Sequence, residues 1–321
     1  MKNTSIILSF VSFVVAFSLY ANVPPTSHIS FQEMLSTLKL EDDCDVCGCS
    51  SSGGGFGFFS AANNTFVGVR YIYQNFNSRK GLFRNDPWSN ENFNTMQVWS
   101  RVKLTEKLFL MAVIPYHFHE RVKSTGTESI SGVGDITCNG LYELVNYGFS
   151  QGLIKSYAGL GVKLPTGNFD NSLRGSVNPS FQVGTGSWDG ILSHESTFIT
   201  HSGKWGANVQ NFYTIKGENR NNYQFGNQSL SVLTLFYNQS LKNAVIIPQL
   251  GLAYENYASN KEFGERIPNT FGEITLLKAA VEYKFSSFVL GAQWLAPVTQ
   301  NLMNGNVRAK NRLGFHLNYI L

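Results

Sequence analysis

From Phe66 to Leu321, apolar and polar positions alternate with a period of two, in segments separated by turn-rich gaps. In FVGVRYIYQNF (Phe66–Phe76), Val67, Val69, Tyr71 and Tyr73 share one face. AGLGVKLP places Ala158, Leu160, Val162 and Leu164 against Gly159, Gly161 and Lys163, and WGANVQNFYTI sets Trp205, Ala207 and Val209 against Asn208 and Gln210. AVIIPQLGLAYEN sets Ile246, Leu250, Leu252 and Tyr254 against Gln249, Gly251 and Glu255. TLLKAAVEYKF is the clearest case, with Leu277, Ala279, Val281, Tyr283 and Phe285 opposite Lys278, Glu282 and Lys284. This is the pattern of strands with one apolar face. With the weaker segments included, the chain predicts about twelve strands of roughly ten residues, the length a tilted membrane strand needs.

The gaps have a rhythm. Short ones (TEK, FSS) alternate with long polar ones at Asn77–Glu91, Thr166–Asn178 and Ala258–Thr270. Bacterial membrane barrels join strands by short periplasmic turns and longer extracellular loops. The predicted fold is therefore all-β, a transmembrane antiparallel up-and-down β-barrel of about twelve strands over residues 61–321. LGFHLNYIL, with Leu313, Phe315, Leu317, Tyr319 and Leu321 on one face, is expected to close it against Phe66–Phe76, so that no strand edge meets lipid. It also resembles the C-terminal signal of outer-membrane proteins, with Leu321 where Phe is commonest. That resemblance implies the barrel-assembly machinery as a partner during biogenesis.

Composition agrees with this picture. Charged residues are 14% of the chain, aromatic residues 14%, and there are 30 glycines, whereas soluble domains carry roughly 25% charge. A helical membrane protein needs apolar runs of about 18 residues or more, and the one run approaching that length lies at the extreme N-terminus. Alternating strands cancel in a hydropathy average, and the mean hydropathy is −0.11. A net charge of +4 without any block of like charges gives no case for nucleic acid. The partners expected instead are outer-membrane lipids and a small-molecule solute.

MKNTSIILSFVSFVVAFSLYA has Lys2, an apolar stretch from Ile6 to Leu19 and small residues after it, the layout of a signal peptide over residues 1–21. Three serines interrupt the run and no cationic stop follows, which disfavours an anchor helix. Export of a barrel places it in a Gram-negative outer membrane. Residues 22–60 then form a periplasmic segment, with one short helix (Phe31, Met34, Leu35, Leu38), CDVCGCS and a Gly/Ser linker.

Three stretches occur in order: GVGDI (Gly132–Ile136), GVKLPTG (Gly161–Gly167) and VGTGSWD (Val183–Asp189). Together they resemble the family of outer-membrane transporters named after the meta-pathway of phenol degradation, over roughly residues 60–321. CDVCGCS followed by GVRYIYQNF looks like a Bacteroidetes-like branch of it with a cysteine-rich leader. The resemblance implies a twelve-stranded barrel that moves small molecules of unassigned identity. Read residue by residue, the motifs are mainly architectural. Asp135 points inward opposite Ile136, Pro165 ends a ladder, Gly167 permits a turn as the strand leaves the membrane, and Trp188 suits an interface anchor.

Candidate chemistry is sparse. Cys44, Cys47 and Cys49 have a spacing that suits a soft ion such as Cu(I) or Zn(II), beside Asp42, Asp43 and Asp45; in an oxidising periplasm two of them form a disulfide instead. No other cofactor is expected, and Cys138 is read as a small apolar strand residue. His117 and His119 share a face, next to Glu120 and Arg121, either as a metal or anion site or as polar lining at the extracellular rim. Asp135, Lys163, Lys278, Glu282 and Lys284 are expected to line the lumen, and their mixed signs argue against a strongly ion-selective pore. His194 and Ser196 share a face as a hydrolase pair would, but no third group is seen to orient the base.

Overall fold

The structure is a computed structural model that describes residues 65–79, 87–169 and 180–321, all within the compact unit Lys39–Leu321. The expected signal peptide, the periplasmic segment and Cys44, Cys47 and Cys49 lie outside the described residues. The strands are β1 (Phe66–Ser78), β2 (Ser89–Lys103), β3 (Leu108–Lys123), β4 (Gly126–Val133), β5 (Ile136–Phe149) and β6 (Gly152–Leu164). They continue with β7 (Asp189–Thr200), β8 (Trp205–Ile215), β9 (Tyr223–Gln224), β10 (Gln228–Tyr237), β11 (Gln239–Ser240) and β12 (Ala244–Tyr257). The last are β13 (Lys261–Glu262), β14 (Glu265–Arg266), β15 (Gly272–Phe285), β16 (Phe288–Leu302) and β17 (Val307–Ile320).

The sheet closes. Neighbours run β10, β8, β7, β6, β5, β3, β2, β1, β17, β16, β15, β12, and β12 returns to β10. β4 and β5 follow one another along β3 and make one wall strand, while the two-residue β11 continues β10 along β12. The result is a closed antiparallel barrel of twelve strands among the described residues. The expected closure is present, with Phe66 opposite Ile320 and Val69 opposite Leu317 along β1 and β17. Pairing all the way round leaves no unpaired ladder for lipid to solvate.

Burial follows the alternation. Val67, Val69, Leu160, Leu192, Leu250, Leu277, Phe315 and Leu317 are exposed on the outer face, while Arg70, Lys163, Gln249, Lys278 and Glu282 are buried inside. At the end where β1 begins and β17 finishes, stacked aromatic rings form a girdle: Tyr147, Phe149 and Phe198 in one group, and Tyr283, Phe285, Phe288 and Tyr319 in another. Such a belt marks the membrane interface. Connections at this end are short throughout, at 104–107, 150–151, 201–204, 238–243 and 286–287, as turns on the periplasmic side of such barrels are.

The opposite end departs from the expected rhythm. Residues 124–125 and 303–306 are tight turns there, because β3–β4 and β16–β17 are hairpins. KGENRNNY (216–223) has the composition of a solvated loop but is partly interior: Lys216, Asn219 and Tyr223 are 4%, 6% and 8% exposed. Its β9 pairs with β13, and β13 with β14, so the two long loops share a small sheet at the rim. Gly167 also turns inward, buried with its N–H on Asp135 Oδ1, rather than leading out of the membrane.

Candidate functional site in the barrel interior

The three sequence motifs converge on one buried charge network. Asp135 lies in the break between β4 and β5, Lys163 near the end of β6, Asp189 at the start of β7, and Lys216 just beyond β8. The Lys163 ammonium is 2.9 Å from carboxylate oxygens of both Asp135 and Asp189, and Lys216 is 3.1 Å from Asp189. Thr185 donates its backbone N–H (2.9 Å) and its hydroxyl (2.8 Å) to Asp135 Oδ2, and the Gly167 N–H bonds Asp135 Oδ1 at 3.0 Å. Ser187 Oγ and the Gly217 N–H donate to Asp189 Oδ1 at 2.9 and 3.1 Å. Acids and bases balance in number, and the hydrogen bonds compensate their desolvation.

Glycines permit this close approach. A Cβ on Gly184 would lie 2.4 Å from the Gly167 carbonyl oxygen, so the two motif backbones touch and neither can carry a side chain. Gly134 faces the His117 ring, which a Cβ there would meet at 2.3 Å. The segment 180–188 consequently folds inward, with Thr185 and Ser187 at 0% and 1% exposure. In sequence the three motifs are separate bends; their mutual distance is long-range information that spacing along a strand does not contain.

His117 and His119 are interior, not rim lining. His119 Nδ1 accepts the Asn94 backbone N–H at 3.1 Å, and His117 Nδ1 meets Thr95 Oγ1 at 2.9 Å. Their rings lie 4.8 Å apart, with Phe93 4.8 Å from His119. An Nδ1 that accepts a hydrogen bond places the neutral ring's proton on Nε2. A metal at His119 Nε2 would need the proton on Nδ1, facing another donor, which disfavours the ligation alternative. Glu120 points outward, whereas Arg121 points inward and binds Glu91 at 2.7 Å. Among the described residues, no group of three or more His, Cys, Asp or Glu side chains is placed to hold a metal ion.

The remaining candidates are dispersed. Lys278, Glu282 and Lys284 are buried on β15, with Lys278 Nζ 3.0 Å from Gln249 Oε1, away from the Lys163 network. Sequence reasoning missed the bidentate pair of Arg312 with Glu255, at 2.6 and 3.2 Å, which bridges β17 and β12 across the interior. It also missed Arg101, which lies over Phe109 and Tyr157 at 4.5 and 4.9 Å. Inward-pointing period-2 positions signalled each residue but not its partner. His194 and Ser196 are on the outer, lipid-side register of β7; His194 Nε2 is 3.1 Å from Ser196 Oγ and 3.2 Å from Ser156 Oγ.

Apolar residues fill much of the rest. Phe76, Phe93, Leu230, Val232, Ala253, Ile274, Leu276, Leu295, Leu302, Val307 and Ala309 form an inward cluster in the half of the barrel where β1 ends and β17 begins. Beside it, a cavity of about 40 Å³ is lined by Phe225, Tyr257, Phe271, Leu302, Met303 and Val307, together with Lys216 and Asn260. A second apolar cluster, centred on Trp99, Phe109, Met111, Leu141 and Tyr157, lies lower on the β1–β7 side.

No family model and no curated protein sequence matches the chain. Solved structures do. An outer membrane channel from Pseudomonas putida F1 superposes with a TM-score of 0.59 at 16% identity, covering 80% of this chain and 95% of that one. The β domain of the Bordetella autotransporter BrkA gives 0.49 at 10% identity, over 81% and 100% of the two chains. The TodX monoaromatic hydrocarbon channel gives 0.37 at 10% identity, over 88% and 96%. At 16% identity the first likeness shows the fold, an outer-membrane β-barrel, and the two lower scores add no argument.

Proposed function

We propose that this chain is an outer-membrane channel for small, mainly apolar solutes. The observation that carries this reading is the inward apolar cluster of the extracellular half with its adjoining cavity. A water-filled porin keeps a polar interior; here Phe76, Phe93, Leu230 and Ile274 face inward at the end a solute meets first. An ion or sugar would lose hydration there without replacement, whereas an apolar molecule would not. The crystallised Pseudomonas channel of like fold supports the transport reading by analogy alone.

The same proposal places the chain in a Gram-negative outer membrane, delivered by an N-terminal signal peptide, and assigns it no catalytic role. To test it, uptake of a labelled small apolar alcohol and of labelled glucose is measured in intact cells producing the chain. Purified protein is also examined for conductance in planar bilayers. Faster alcohol uptake with little gain for glucose and small ion conductance is the expected result. Equal gains for both solutes, with large conductance, would replace the apolar channel by a general pore.

A further inference from the structure

Four neighbouring strands, β6, β7, β8 and β10, present an uncharged outer wall. Their charged residues, Lys155, Lys163, Asp189 and Glu195, are all buried on the inner side. Midway along this wall the apolar pattern breaks. Ser156 stands opposite Ser196, His194 opposite Asn211, and Asn211 opposite Ser231, so a polar row crosses all four strands. Two positions away along the strands, Leu192, Val209, Tyr213 and Leu233 are exposed and apolar on either side of it. The row therefore lies within the lipid-facing band and not at its headgroup edges.

The row is only partly satisfied. Ser196 Oγ donates to Ser156 Oγ at 2.8 Å, and the two hydroxyls lie 3.1 and 3.2 Å from His194 Nε2. A neutral imidazole carries one donor and one acceptor nitrogen, and His194 Nδ1 has no hydrogen-bond partner among the described residues. Asn211 Nδ2 has none either. Both atoms are covered by neighbouring side chains, but a half-turn of the half-buried Asn211 amide exchanges its nitrogen and oxygen and presents the donor outward. Ser231, next to it, is exposed. Acyl chains offer these groups neither donor nor acceptor, and a polar group left in hydrocarbon costs free energy.

We propose that this wall is the contact between two copies of the chain, related by a two-fold axis that runs along the membrane normal beside Asn211. Depth, chemistry and charge favour a second copy over an unrelated partner. Two copies carry the same aromatic girdle and sit at the same depth, so each polar row meets its own counterpart. A primary amide is self-complementary: each Asn211 donates an N–H to the carbonyl oxygen of the other, giving two equivalent hydrogen bonds across the axis. The uncharged wall brings no like charges together. Within a membrane, polar side chains of this kind hold neighbouring segments together at a modest free energy each. Solute transport through the interior does not depend on this wall.

The full chain, purified in detergent, is examined by native mass spectrometry over a range of concentrations. Wild type is expected as a dimer, and Asn211→Leu, which removes the symmetric amide pair, should weaken dimerisation roughly tenfold. In cell membranes, Asn211→Cys in a chain whose four native cysteines are serine should give a disulfide-linked dimer on oxidation. Val69→Cys in the same background, exposed on β1 across the barrel, should not. A monomeric wild type overturns the proposal, and so does an Asn211→Leu chain that dimerises as tightly as wild type. Failure of Asn211→Cys to link to its own copy overturns it equally. Linkage to a different protein, or a wild-type monomer recovered with bound lipid, would assign the wall to that partner instead. Leucine suits a lipid-facing position, and heat-modifiable gel mobility checks that the variant folds; should it not, the cysteine cross-link decides.

Discussion

Replacing Lys163 by Met removes the ammonium between Asp135 and Asp189 and leaves the stem's volume nearly unchanged. The side chains of Lys163, Asp135 and Asp189 are 2%, 0% and 0% exposed, so water does not screen the loss. Each 2.9 Å contact represents about 6 kcal/mol of gross Coulomb attraction at an effective dielectric constant near 20. Desolvation offsets most of it. Among the described residues, Lys216 is paired with Asp189, and Asp135 keeps its bonds from Gly167 and Thr185 but loses the one cation it is paired with. Breaking a buried pair in this way costs about 3–5 kcal/mol.

The double change D135N/K163M restores neutrality. An amide supplies one acceptor oxygen where the carboxylate supplied two, so one donor among Gly167 and Thr185 loses its partner, for about 1–3 kcal/mol. The double variant is thus expected to be more stable than the single one. Urea unfolding in lipid vesicles, followed by heat-modifiable gel mobility, measures both values. A loss below about 1 kcal/mol for K163M, or a double variant less stable than K163M, would refute the argument that Lys163 balances these carboxylates.

Gly184→Ala drives a methyl group into the Gly167 backbone and should cost about 1–3 kcal/mol in the same unfolding assay, with segment 180–188 becoming protease-sensitive. Tyr223, in the 216–227 loop, has its pKa raised by burial, and its hydroxyl accepts from Asn260 Nδ2 at 2.7 Å. A raised folded pKa means stability present below the unfolded value of about 10 and lost as pH climbs above it; proteolysis of this loop should rise with alkaline pH and lose that dependence in Tyr223→Phe. Ser196→Ala should leave solute uptake unchanged, and vesicle ester hydrolysis that disappears with it would instead support a hydrolase. Reduced full-length protein titrated with Cu(I) and Zn(II) should bind more metal than the form with Cys44, Cys47 and Cys49 all changed to Ser; equal binding would leave the disulfide reading of that trio.

The sequence alone determined the wall. Alternation at Val67, Val69, Tyr71 and Tyr73, or at Leu277, Val281 and Tyr283, assigns each side chain to lipid or interior because a strand permits only two faces. Closure of LGFHLNYIL onto Phe66–Phe76 followed from the cost of an open edge in lipid. Inward residues such as Asp135, Lys163 and Lys278 were legible for the same reason. What they touch was not. Lys163 meets Asp189 across a long intervening loop, and Arg312 meets Glu255 across the barrel's interior. His119 gained its tautomer from the Asn94 N–H on another strand, and His117 its Thr95 partner. Lys216 looked like loop charge because nothing local distinguishes a lysine that faces water from one that turns inward to a carboxylate. Period-2 patterning is a property of one strand, whereas these contacts depend on strand register, barrel curvature and the return of segment 180–188, which only the closed tertiary structure brings together.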